Sequence, residues 1–231
     1  MQTVSDRTDP QRTTDPDKSW LDRSLSLFTE VRAGEGATAL LLAANIFSIL
    51  LFYSVLKVVR ESLILSEGGA IVKSYSAAGQ ALLLLGVVPL YGAFASSVNR
   101  IRLICGVTLF FASHLIIFYL LGSAGVHVGI AFYLWIGIFN MMMPAQFWAF
   151  ANDLFSTERG KRLFPIVGMG ASIGALLGAF LATRYFAGAG PYVLMLIAAG
   201  GLMLPIVFTL WVNRRERDSG RDKAAASGLS F

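Results

Sequence analysis

The sequence predicts an all-α membrane protein with six transmembrane helices. Two observations carry this expectation. Of 231 residues, 55% are hydrophobic and only 14% charged, with a mean hydropathy of +0.65; a soluble domain of this size carries roughly a quarter charged residues. The charge is also segregated into two tails and a few short loops, leaving long uncharged stretches between them. Those stretches are continuously apolar rather than alternating, which excludes a transmembrane barrel. Lipid offers nothing to open backbone groups, so helices are required.

Residues 1–18 are polar, mixed in charge and without periodicity, and are expected to be a disordered tail. Residues 19–35 place Trp20, Leu21, Leu25, Phe28 and Val31 at mostly helical spacing. They read either as an amphipathic helix on the membrane surface or as a linker. The tail lacks the early apolar core of a cleavable signal, so the first span is expected to act as its own targeting signal. The bundle occupies residues 36–212, with apolar segments at about 36–65, 72–97, 101–122, 126–155, 163–186 and 191–212. Each reaches the ~20 residues that a helix needs to cross the hydrocarbon core. Residues 213–231, NRRERDSGRDKAAASGLSF, are basic, then small and polar, and read as a linker to something further.

Orientation follows from the cations. With a cytoplasmic N-terminus, the inside holds five Lys and Arg in the N-terminal tail, two between the second and third spans, three between the fourth and fifth, and five in the C-terminal tail. The outside holds Lys57, Arg60, Lys73 and Arg184. The positive-inside rule therefore places both termini in the cytoplasm. The same rule accounts for the net charge of +5; no compact basic domain exists to bind nucleic acid. Cys105 is the single cysteine, which excludes a disulfide framework and a cysteine metal site. His114 and His127 have no ligand-spaced neighbours, and no paired carboxylates or nucleophile triad stand out. The sequence thus indicates no enzyme site, metal or cofactor.

The informative residues are polar ones inside apolar runs. LKVVRESL, residues 56–63, carries Lys57, Arg60 and Glu61 near the end of the first segment, and apolar residues resume at Leu63. At helical spacing Arg60 and Glu61 lie about 60° and 40° to either side of Lys57, and Tyr53 lies about 40° away one turn earlier. A charge at the centre of a span costs about 2.5–3.5 kcal/mol. Such a stripe either faces a wet interior suited to an anionic ligand or snorkels to the rim. On the fourth segment, Asn140 and Gln146 read either as interhelical glue or as ligand contacts. Pro144 is expected to kink that helix. Gln146 and Asp153 lie about 20° apart on one face, with Asp153 expected to pair near Arg159, Lys161 and Arg162. Gly170, Gly174 and Gly178, spaced by four, offer a groove for a neighbouring helix. Asn45 and Gln80 read as packing residues.

LKVVRESL, FWAFANDLF (147–155) and GKRLFPIVGMGASIGALLGA (160–179) together resemble the N-terminal half of the ATP/ADP translocase, or nucleotide transporter, family, over roughly residues 33–212. Members occur in plastids and bacteria. The resemblance implies one six-helix half of a major facilitator-type bundle, located here in a bacterial inner membrane. It implies alternating-access transport of an anionic solute, a nucleotide in the family. Lys57 and Arg60 would attract the anion and Glu61 keeps the family's acidic position. Tyr53 and Trp148 would stack on a base or flank the cavity, and Asn140 and Gln146 would hydrogen-bond polar groups. Gly170, Gly174, Gly178 and Pro144 would allow close packing and rocking. The chain departs from the pattern at Gln146, where characterised exchangers carry Glu. The loop GAFASSVNRIR is similar to the major facilitator loop signature at Gly92, Arg100 and Arg102 but lacks its Asp. The implied partners are the lipid bilayer, an anionic small molecule, and a second six-helix half or another copy. Two other readings stay open: a carrier of another solute, such as an organic anion or drug, and a membrane interaction protein that transports nothing.

Overall fold

A continuous helix of 63 residues would be about 95 Å long, some three times the hydrocarbon thickness. The first helix, α1 (Glu35–Ser97), has that many residues, but it is not one rod. Gly69 interrupts it with φ 68° and ψ −172°, a conformation open to glycine. The chain reverses there: Lys73 reaches back to the carboxylate of Glu61, twelve residues earlier. In a straight helix those residues would stand about 18 Å apart. The limbs are residues 35–68 and 70–97.

The structure, a computed structural model, describes residue 32 and residues 34–226. The expected disordered tail and nearly all of the 19–35 segment lie outside the described residues. Among the described residues all regular structure is helical. After α1 come α2 (Arg100–Ser123), α3 (Gly129–Leu154), α4 (Thr157–Gly201) and α5 (Met203–Ala226). Gly190, at φ 76° and ψ 166°, breaks α4 as Gly69 breaks α1. Among the described residues, five stretches are long and apolar enough to cross a membrane: Glu35–Ser97, Arg100–Ser123, Gly129–Leu154, Thr157–Tyr185 and Gly188–Asp218. The sequence reading had divided the first of these in two. The basic stretch read as a linker is helical as far as Ala226, and α3 runs as one helix through Pro144.

Three helix starts are capped by side chains. Asn99 accepts from the backbone amides of Ile101 and Arg102 at 3.1 and 3.5 Å, starting α2. Ser156 accepts from Arg159 N at 3.4 Å, starting α4. The start of α3 is capped from a distance: Glu67, at the end of the first limb of α1, accepts from Val128 N at 3.3 Å and Gly129 N at 2.6 Å. This cap also fixes the level of α3 against α1.

The first limb is the hub, burying Leu42, Ile46, Ile49, Leu56, Val59 and Leu63 against its neighbours. Its closest approach is to α4. A Cβ added at Gly170, Gly174 or Gly178 would overlap the carbonyl oxygen of Ala43, Phe47 or Leu51 respectively. Both sets advance by four in the same direction, so the two helices run parallel and touch backbone to backbone. Between α2 and α3 the contact is aromatic: Phe111, Phe118, Phe132, Trp135 and Phe139 form a chain of ring contacts at 5.0–5.8 Å. The second limb of α1 is peripheral, with only Ser76 buried.

Candidate functional site

The charged stripe of the first limb meets α3 near the Gly69 end. The guanidinium of Arg60 lies 4.7 Å over the ring of Tyr133. Its Nη2 donates to Glu61 Oε1 at 2.5 Å, and the other oxygen of Glu61 accepts from Lys73 Nζ, also at 2.5 Å. Glu61 therefore joins the two limbs of α1 across the Gly69 reversal. Arg60 is largely enclosed, its side chain 14% exposed, and its Nε–H is buried without an acceptor. Tyr53 is half-buried, its ring stacked on Phe139 at 6.2 Å. Lys57 is exposed. Arg60 and Lys73 thus share the one carboxylate of Glu61, while Lys57 lies outside both pairs.

The contacts Arg60–Tyr133 and Tyr53–Phe139 set the register of the two antiparallel helices. They place Lys57 level with about residue 136, roughly seven residues inside α3. Asn140, near the middle of α3, is exposed. Gln146 is not near either of them. It is 3% exposed, its Nε2 donates to Met143 Sδ at 3.2 Å, and it lines a small internal space with Asn45, Thr108 and Thr209. Trp148 is half-buried and packs edge-on against Phe147 and Phe164 at 5.3 and 5.5 Å. Gln146 lies 13 residues beyond Tyr133, about 20 Å along the axis. The residues expected to form one pocket are therefore spread over three places: Tyr53, Lys57, Arg60 and Glu61 at one end, Asn140 exposed at mid-span, and Gln146 and Trp148 toward the other end.

At that other end a second set of charges ties the helices together. Arg159 pairs with Glu35 at 3.4 Å and Glu216 at 3.2 Å, Arg162 pairs with Glu35 at 3.1 Å, and Thr38 Oγ1 donates to Glu216 at 2.7 Å. These contacts join the first turns of α1 and α4 to the far part of α5. Asp153 shares a face with Gln146 toward α2, but its partner is Arg100 at 2.8 Å rather than the cations of α4. Arg159 and Arg162 are instead committed to Glu35 and Glu216. Close by, an open depression of about 600 Å³ is lined by Asn152, Phe155, Ser156, Lys161 and Phe164. Among the described residues no group of three or more His, Cys, Asp or Glu could hold a metal ion.

Several contributors were not singled out in the sequence. Glu67 and Lys73 lie on either side of the Gly68–Gly69 pair, and a hairpin placed at those glycines would have brought both toward the stripe. Tyr133 and Glu216 carried no local signal, because their partners come from remote elements. No protein family, curated protein or solved structure matches this chain.

Proposed function

We propose that the chain is a membrane transporter, or one half of one, that moves an anionic solute by alternating access. On this reading the two limbs of α1 are separate spans, giving six. They form one half of a major facilitator-type bundle, with both termini cytoplasmic in a bacterial inner membrane. A second half would come from more of the same chain, a second copy or another protein.

The observation that carries the reading is Lys57: a charged side chain, outside the ion pairs of its neighbours, exposed at a level that lies within α3. Lipid is a poor neighbour for an ammonium group at that level, so such a side chain belongs beside water or a second protein surface. The exposed amide of Asn140 supports the same inference for mid-span. Arg60, with Nε–H unsatisfied, and Lys73 would add to a positive surface able to draw an anion. The resemblance noted from the sequence makes a nucleotide the first solute to try. Gln146 and Trp148, about 20 Å away along α3, would not touch a small ligand held by Arg60.

Proteoliposome uptake of labelled ATP, driven by internal ADP, tests the reading. Exchange that falls at least tenfold in Lys57→Gln supports it. Uptake of another organic anion, but not ATP, would keep the transport mechanism and change the solute. A second reading, a membrane interaction protein, draws on the mutual satisfaction of Arg60, Glu61 and Lys73. It gains if no anion is taken up by a correctly folded preparation.

A further inference from the structure

Four helices meet around a small, partly enclosed space toward the Glu35 end of the bundle. Asn45 of the first limb of α1, Thr108 of α2, Met143 and Gln146 of α3, and Thr209 of α5 line it. Its polar members are fully inside the protein: Thr108 is 0%, Asn45 and Thr209 1%, and Gln146 3% exposed. Three of these residues direct donors at other partners. Asn45 Nδ2 donates to Thr209 Oγ1 at 2.9 Å, Thr108 Oγ1 to the Ile104 carbonyl at 2.7 Å, and Gln146 Nε2 to Met143 Sδ. The two amide oxygens, Asn45 Oδ1 and Gln146 Oε1, are buried and accept from no protein group.

We propose that this space is a site for one water molecule, which donates one hydrogen bond to Asn45 Oδ1 and the other to Gln146 Oε1. Size favours it: the space leaves about 10 Å³ for the centre of a water molecule, which is one molecule's worth. Chemistry favours it too. Two buried acceptors without donors are what a single water, with two donors, can satisfy, and buried polar groups are rarely left unpaired. A bare sodium ion would also be drawn to amide and hydroxyl oxygens. None of the lining residues is charged, however, so such an ion would sit uncompensated in a low-dielectric interior. Asn45 lies ten residues beyond Glu35, about 15 Å into the span, so the water is remote from the surface and bridges the first limb of α1 to α3. Gln146 is then a positioning residue between helices rather than a ligand contact. This site stands whether or not the chain transports a solute.

The test combines a structure of the full chain in lipid nanodiscs, at a resolution that shows ordered water, with melting curves. A density peak within hydrogen-bonding distance of both amide oxygens is expected; an empty space there overturns the proposal. Gln146→Met and Asn45→Leu should each lower Tm. The double variant should lose clearly less than the sum, because either change alone already breaks the bridge; strict additivity speaks against it. Melting of the unaltered protein in sodium, potassium and choline chloride should coincide. A rise specific to sodium would replace the water by a cation and refute the proposal, and this arm needs no variant to fold.

Discussion

The backbone contact between α1 and α4 makes the sharpest stability prediction. Gly174→Ala adds a single methyl group, yet its Cβ would overlap the carbonyl oxygen of Phe47. A neighbouring backbone cannot rotate away as a flexible side chain can, so the helices must separate along the whole parallel contact. Overpacking of this kind costs about 1–3 kcal/mol. At about 2–4 °C per kcal/mol for a domain of this size, Tm should fall by about 2–12 °C. Gly168 supplies the control on the same helix, since a Cβ there meets nothing within 4 Å. Gly168→Ala should leave Tm unchanged or raise it slightly, because alanine favours helix by up to about 1 kcal/mol over glycine. Gly170→Ala and Gly178→Ala should behave like Gly174→Ala, because they face the Ala43 and Leu51 carbonyls. Thermal unfolding of the four variants in one detergent settles the comparison. If Gly174→Ala and Gly168→Ala melt together, the parallel backbone contact is not present.

Two further substitutions probe the Gly69 end. Glu67→Ala removes the cap from Val128 and Gly129; it should cost about 1 kcal/mol and speed hydrogen exchange at those two amides while leaving the Asn99-capped start of α2 unchanged. Glu61→Ala should destabilise by about 1–3 kcal/mol, because it leaves the largely enclosed Arg60 guanidinium without its acceptor, whereas Lys73→Ala, at a pair more than a third exposed on the lysine side, should cost under about 1 kcal/mol. Equal losses for these two in urea or thermal titration would show that Arg60 does not depend on Glu61.

Much of the fold was legible because membrane solvation leaves a simple signature. The gaps read between apolar segments, at 66–71 and 187–190, contain Gly69 and Gly190, the two residues whose positive φ breaks the long helices. The four-residue spacing of Gly170, Gly174 and Gly178 was readable in the same way, since one helical face repeats at that interval. What spacing cannot give is depth and partner. Periodicity put Gln146 and Asp153 on one face, and both do look toward α2. It could not say that Gln146 lies about 20 Å from the Arg60 cluster, because that follows from where α3 starts, and Glu67 of another helix sets that start. Asp153 was expected to pair with the cations of α4, which are nearer in sequence, but the folded chain brings Arg100 closer. Lys73 was counted as one more cation on the outside, and only the reversal at Gly69 turns it into a partner of Glu61.

The central claim is that Lys57 faces water rather than lipid within the bundle's span. Cysteine accessibility tests it directly, in a background where Cys105, the single native cysteine, is replaced by serine. Lys57→Cys should react with a small charged thiol reagent, and at least tenfold faster than Leu85→Cys, an exposed apolar position on the second limb of α1. Labelling of Lys57→Cys as slow as that of Leu85→Cys would place the first-limb charge against the hydrocarbon and contradict the account.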